Sequence, residues 1–251
     1  MSKPYVFTAD LHLGSASDDE EARKEAALLS LLDRSPELFS GLALLGDLFD
    51  FWFEYRHVIP RRAAGALARL AALHESGFPV LFVGGNHDFW LADFLRREFG
   101  LDARREPATL AIGGRRVLAA HGDELVAAGD PGYRFLKKVL RHRAAGGLFR
   151  WIHPDLGVPL GRAVSRWSRD YTSGKEFFLG DALRASIDGA FAAGHDAIVM
   201  GHLHKSEHLR LAGGECLVLG GWSGRLSVVL LEAGAFRLDH WPPEGASVRD
   251  R

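Results

Sequence analysis

Five short polar clusters hold the residues of this chain best suited to chemistry: Asp10-Leu-His12, Gly46-Asp47, Gly85-Asn86-His87-Asp88, His121-Gly122 and Gly201-His202-Leu-His204. Asp10, His12, Asp47, Asn86, His121, His202 and His204 supply carboxylate, amide-oxygen and imidazole donors, the types that divalent ions take. A carboxylate shared by two such ions keeps them about 3.5–4 Å apart. Asp47 is the candidate bridge, with Asp10, His12 and His204 completing one shell and Asn86, His121 and His202 the other. Alternation in an extended segment points His202 and His204 the same way. A pair of ions acidifies a shared water and clamps a phosphoryl oxygen for in-line attack, so the expected reaction is hydrolysis at phosphorus. His87, beside Asn86, is the candidate that protonates the leaving group, with Asp50 as a carboxylate partner orienting its ring. The alternative for His87 is a supporting hydrogen bond without proton transfer.

Each cluster follows an apolar run that reads as a buried strand: Tyr5–Ala9, Leu42–Leu45, Val80–Val83, Val117–Ala120 and Ala197–Met200. Ligands in α/β folds gather at the carboxyl ends of such strands. Between the first three runs lie two helical stretches. Asp18 to Leu38 starts acidic and carries Ala22, Ala26, Leu29 and Leu32 at helical spacing, while Arg61 to Glu75 carries Leu67, Leu70 and Leu73 and stops before Gly77. The rhythm is that of a mainly parallel sheet. Cys216–Leu219, Leu226–Leu231 and Phe236–Trp241 are β-rich and suggest a second, largely antiparallel sheet packed on the first. Gly245 to Arg251 reads as a frayed tail.

The chain has 251 residues, 47% hydrophobic content and a net charge of -1, which fits one large domain over residues 1–251 and gives no global pull towards nucleic acid. A single cysteine, Cys216, excludes an internal disulfide framework and favours a reducing cytoplasm. No leader is expected before the first strand, and no apolar stretch reaches the roughly 18 residues of a membrane span. The segment from His121 to Gly201 is too long for a plain connection and must carry structure of its own, a helical cap inserted at about 125–195. Phe135/Val139, Leu148–Ile152 and Leu160–Trp167 mark its apolar patches. From Pro131 to Lys175 ten basic residues stand against two acidic ones, a local charge of +8. A basic cap holding Trp151 and Trp167 suits an anionic, partly apolar ligand. The alternative is a solvated basic face, with Trp52, Trp151 and Trp167 as ordinary core.

The five clusters resemble the blocks D-x-H, G-D, G-N-H-[DE], H and G-H-x-H of the calcineurin-like metallophosphoesterase superfamily. The resemblance spans nearly the whole chain and implies an α/β fold, a four-layer α/β/β/α sandwich. It also implies a dinuclear site commonly holding Mn2+, a general acid at His87 and its partner at Asp50. More narrowly, Thr8–Gly14, Gly46–Trp52, His121-Gly-Asp123, the helical insertion and Val218–Trp222 look like the UDP-2,3-diacylglucosamine hydrolases of lipid A biosynthesis. That likeness implies cleavage of UDP-2,3-diacylglucosamine to UMP and 2,3-diacylglucosamine 1-phosphate by a cytoplasmic enzyme peripheral on the inner membrane. It implies substrate contacts from Tyr133, Arg166, Arg169 and Lys175, and neither nucleic acid nor an obligate protein partner. One departure stands out: the best-known branch of that group has Arg where this chain has His87. His87 restores the general superfamily pattern and keeps open a soluble nucleotide or nucleic-acid phosphodiesterase or phosphatase. A non-catalytic scaffold is the third reading, disfavoured because all seven donors are present.

Overall fold

The computed structural model describes residues 3–126, 131–173 and 180–244. β1 (Tyr5–Thr8), β2 (Gly41–Leu44), β3 (Val80–Val83) and β4 (Asp102–Arg104) run parallel in one sheet. The first three form because their apolar runs are buried on both faces, and alternation sends the residues two ways, while β4 is an edge strand with only Ala103 buried. Val6, Leu42, Leu44, Val80 and Phe82 meet α1 (Asp18–Leu38), α2 (Ala64–Glu75) and α3 (Leu91–Phe99). Phe7, Ala43, Leu45, Leu81 and Val83 point inward to a second sheet.

That second sheet takes the order β5-β6-β7-β9-β8. β5 (Ala108–Ile112) lies antiparallel to β6 (Arg115–Ala120), β6 and β7 (Ala197–Met200) are parallel, and so are β7 and β9 (Gly214–Val218). β8 (Glu207–Leu211) closes the edge antiparallel to β9. Its outer face meets α4 (Asp123–Val126) and α8 (Asp181–Ala192) through Ile198, Met200, Leu183 and Ile187. The layers are therefore helix, sheet, sheet, helix.

Three expectations change in detail. The C-terminal strands do not make a sheet of their own: β10 (Leu226–Glu232) pairs antiparallel with β1, and β11 (Ala235–Trp241) pairs with β10, while β9 joins the other sheet. Hydropathy marks a strand but not its neighbour, which is decided by where both faces find cover. The buried face of α1 is also rotated from the expected one. It holds Glu21, Lys24, Ala27, Leu28, Leu31, Leu32 and Ser35, because a buried ion pair occupies positions that periodicity alone assigns to water. Finally, α5 (Pro131–Leu140), α6 (Arg143–Phe149) and α7 (Pro154–Ser173) build the insertion, but α8, inside the expected span, belongs to the outer layer. The tail from 245 onward lies outside the described residues.

Candidate metal centre

All five clusters converge where strands of the two sheets end. Asp10 and His12 follow β1, Asp47 follows β2, Asn86 and His87 follow β3, His121 follows β6, and His202 and His204 follow β7. The chain turns sharply at these points. Asp10, His12, Asp47, His202 and His204 all have positive φ, between 46° and 70°. A non-glycine residue there costs roughly 1–2 kcal/mol, so a cluster of them persists only where surrounding bonds hold it. Those bonds are present. The Asp10 amide donates to the Gly46 carbonyl at 3.1 Å, the His12 amide to the Asp47 carbonyl at 2.8 Å, and the His202 amide to Asp10 Oδ2 at 2.7 Å. The glycines before the ligands follow from crowding: a β-carbon on Gly85 would overlap the Asp47 carboxylate, and one on Gly201 the Asp10 carboxylate.

Asp47 stands among three imidazoles. Its Oδ2 lies 3.4 Å from His121 Nε2, 3.7 Å from His12 Nε2 and 3.7 Å from His87 Nε2. His12 Nε2 and His204 Nε2 face each other at 3.2 Å, and His204 Nε2 is 4.0 Å from Asp10 Oδ1. Asp10, His12 and His204 thus form one donor group, as do Asp10, Asp47 and His121. Asn86 Oδ1 joins the second side at 3.1 Å from His121 Nε2, and the His202 ring stands 5.1 Å from that of His121.

The electrostatics fit cations. Asp10 is fully buried, and its Oδ1 has no hydrogen-bond partner among the described residues. Such an oxygen is costly unless a cation or proton meets it. Burial and the nearby Asp47 charge raise the Asp10 pKa well above the carboxylate range. Burial also pushes Asp47 upward, but His121, His87 and His12 outweigh it and hold that carboxyl well below its usual value. Burial would lower His121, yet Asp47 and Asp10 raise it. Burial and then His121 lower His202 to about 3, so its ring is neutral and able to ligate. The residues present suit divalent ions in both identity and placement.

The partner of His87 differs from the expected carboxylate. His87 Nδ1 lies 2.9 Å from the main-chain carbonyl of Asp50, while the Asp50 carboxylate is 4.0 Å from His12 Nδ1. A backbone carbonyl can fix an imidazole as well as a carboxylate does, and the short turn after β2 brings it there. Of the expected substrate contacts, Arg166 is exposed; the side chains of Tyr133 and Arg169, and Lys175 altogether, lie outside the described residues. Trp52 is core, whereas Trp151 is 87% exposed.

Other residues escaped the sequence reading. Asp88 is fully buried and accepts the amides of Leu48 at 2.7 Å, Gly85 at 2.9 Å and Asp47 at 3.1 Å, tying two ligand loops together. Burial and the Asp47 charge raise it to about 6. Lys24 Nζ donates to the His12 carbonyl at 3.2 Å and to Ser15 Oγ at 2.8 Å, while the Glu21 carboxylate takes the amides of Gly14 and Ala16. Asp123 is paired with Lys137 and Arg141 of the cap, and the Arg141 guanidinium sits 4.0 Å from the Phe89 ring centroid. The acid that follows His87 was a possible signal for Asp88; nothing in the local sequence marks the other contacts. A cavity of about 430 Å³ opens between α3 and α6, lined by residues that include Phe53, Trp90, Arg105 and Arg150.

Comparison with known proteins agrees with this geometry. Residues 3–206 match the family model of the calcineurin-like phosphoesterases. A UDP-2,3-diacylglucosamine hydrolase of Yersinia pseudotuberculosis serotype O:1b (strain IP 31758) is 29% identical over 94% of this chain and 98% of its own. The protein of that name from Porphyromonas gingivalis (strain ATCC BAA-308 / W83) is 34% identical over 67% of this chain; the match spans 64% of that relative's length, under two thirds. A solved archaeal phosphodiesterase aligns over 94% of this chain and 99% of its own at 10% identity and a TM-score of 0.48, too slight a likeness to carry any argument. With the match covering every one of the five clusters, the chain belongs to the calcineurin-like phosphoesterase family and is a metal-dependent phosphoesterase.

Proposed function

We propose that this phosphoesterase cleaves the pyrophosphate of UDP-2,3-diacylglucosamine, releasing UMP and 2,3-diacylglucosamine 1-phosphate, at the cytoplasmic face of the inner membrane. The observation that carries the reading is the cap. Phe135, Leu148, Trp151, Leu156 and Leu160 are exposed large apolar residues on α5 to α7 and the turn between α6 and α7, interspersed with exposed Lys138, Arg150 and Arg166. A chain acting on a small soluble diester has no need of such a surface. The likeness to the Yersinia hydrolase along its full length supports the same substrate. No helix among the described residues is long and apolar enough to cross a membrane, and contact through the cap surface requires none.

Two divalent ions, for which we propose manganese, would neutralise phosphate charge and acidify the attacking water. Asp10, His12, Asp47 and His204 would hold one of them, and Asp47, Asn86, His121 and His202 the other. Asp47 keeps the two halves of the site in register, since its Oδ2 is within 3.7 Å of rings from both sides. His87 donates Nδ1–H to the Asp50 carbonyl, which fixes the ring and turns Nε2 into the site. Carrying a second proton on Nε2, the imidazolium would deliver it to the oxygen of the leaving phosphate as the P–O bond breaks, and the proton that the attacking water loses as it adds to phosphorus would pass to solvent.

The test is product analysis by mass spectrometry with manganese present, on UDP-2,3-diacylglucosamine, UDP-glucosamine and bis-p-nitrophenyl phosphate. UMP and the lipid sugar phosphate, formed from the acylated substrate in strong preference to UDP-glucosamine, are expected. Cleavage of the small diester without any lipid product would overturn the substrate and keep the two-metal chemistry.

A further inference from the structure

Helix α7 lies on the core at very short range. Gly157, Gly161 and Ser165 share one face at successive four-residue steps. A β-carbon on Gly161 would overlap the Phe51 ring, and one on Gly157 would overlap the Tyr55 hydroxyl, while Ser165 is buried. With backbone against aromatic rings, the helix cannot slide or roll without displacing them. Arg162 follows Gly161 and is held by that contact. Its guanidinium comes down on Gly14, where a β-carbon would lie 2.9 Å from Nη2 and 3.4 Å from Cζ. Gly14 stands two residues after His12, in the loop that begins at Asp10, and its φ of +102° suits glycine.

Other arginines drawn against the body of the protein have carboxylate partners, as Arg141 has Asp123, Arg105 has Asp93 and Arg115 has Glu215. Arg162 is half-buried and has no hydrogen-bond or ion-pair partner among the described residues. A guanidinium partly withdrawn from water offers donors in a planar fork that phosphate oxygens match two at a time. Its guanidinium rests on the loop that carries Asp10 and His12, and neither carboxylate of the donor cluster, Asp10 or Asp47, pairs with it.

We propose that Arg162 is a specificity-determining residue that grips the second, unattacked phosphate of a pyrophosphate substrate. This rests on the phosphoesterase chemistry above and explains how the cap could favour a diphosphate over a simple diester without touching the metal ligands. Arg166, one turn further along α7, is exposed and does not take this place.

The experiment is calorimetric binding of methylenediphosphonate and of methylphosphonate to the manganese-loaded full chain, comparing the unaltered protein with R162Q and R162K. R162Q is expected to weaken methylenediphosphonate by about tenfold and methylphosphonate by less than about twofold, at unchanged melting temperature. R162K, which keeps charge and stem but loses the fork, is expected to recover part of the difference and carries the test if R162Q does not fold. Equal weakening of both anions, or of neither, overturns the assignment. No lipid is used, so the two readings fail separately: a chain that leaves UDP-2,3-diacylglucosamine intact yet shows the anion difference loses its proposed substrate and keeps Arg162.

Discussion

At the strand ends the carboxylates Asp10, Asp47, Asp50 and Asp88 and the rings of His12, His87, His121 and His202 are buried, and the backbone is bent into positive φ at Asp10, His12, Asp47 and His202. Across the cap the situation is inverted, with Trp151, Leu148 and Phe135 facing outward and basic side chains among them. The first region spends stability to hold chemistry in place; its bent backbone and buried charges are tolerated because two sheets and the ladders between ligand loops leave no alternative. The second leaves apolar surface unburied, and the lipid substrate proposed above would cover it. Substitutions in the two regions should therefore behave differently: those in the metal centre should change ion binding or folding, and those on the outer cap should change neither.

Asp47→Ala tests the contrast at its strongest point. Loss of the shared carboxylate should remove bound metal and lower turnover on the order of 10³-fold or more, with the circular dichroism spectrum kept. Metal content by plasma mass spectrometry checks it, and a mutant with two ions and full activity would refute the bridge. His87→Ala should reduce turnover on the order of 10²-fold while both ions stay bound, if the ring is the proton donor. Unchanged kinetics would leave it only a supporting hydrogen bond.

Lys24→Met asks how far the rigid region extends behind the ligands. It strands the buried Glu21 carboxylate and frees the His12 carbonyl, so denaturant unfolding should report a loss of about 3 kcal/mol. A stability equal to that of the unaltered protein would mean that the loop holds itself.

Glu124, at the junction of the two regions, gives a pH-dependent comparison. Burial and then the Asp123 charge raise its pKa to about 7, against 4.5 ordinarily. The folded state thus holds its proton more tightly than the unfolded one, and that stabilisation, full below 4.5, fades as pH rises through 7. Glu124→Gln keeps the protonated shape at every pH. Its melting temperature relative to the unaltered chain should climb between these values and then level off; a flat difference would contradict the assignment. The smallest change in folding belongs to the cap. Trp151→Ser should leave melting temperature and metal content untouched, because the ring is 87% exposed, and should reduce sedimentation with anionic vesicles. Equal sedimentation of the two proteins would remove Trp151 from the membrane surface.

Much of this was legible in the chain because the pattern is local. A buried parallel strand needs a continuous apolar run, and sites in α/β folds gather at strand ends, so β1, β2, β3, β6 and β7 and the donor side chains that follow them could be read from adjacency alone. The helix bounds of α1 were equally clear, from the acidic start to Leu38. What adjacency cannot carry is partnership between distant segments. Only the packed structure put β10 beside β1 instead of beside β9, turned α1 so that Glu21 and Lys24 face inward, and replaced the Asp50 carboxylate by its carbonyl at His87. It also brought Arg162 over Gly14, since that contact depends on Gly157 and Gly161 letting a cap helix touch Tyr55 and Phe51. The sequence by itself determined the donors and their order along the chain; the tertiary structure decided which backbone, which charge and which cap residue stand around them, because those choices are settled by close packing across long stretches of chain.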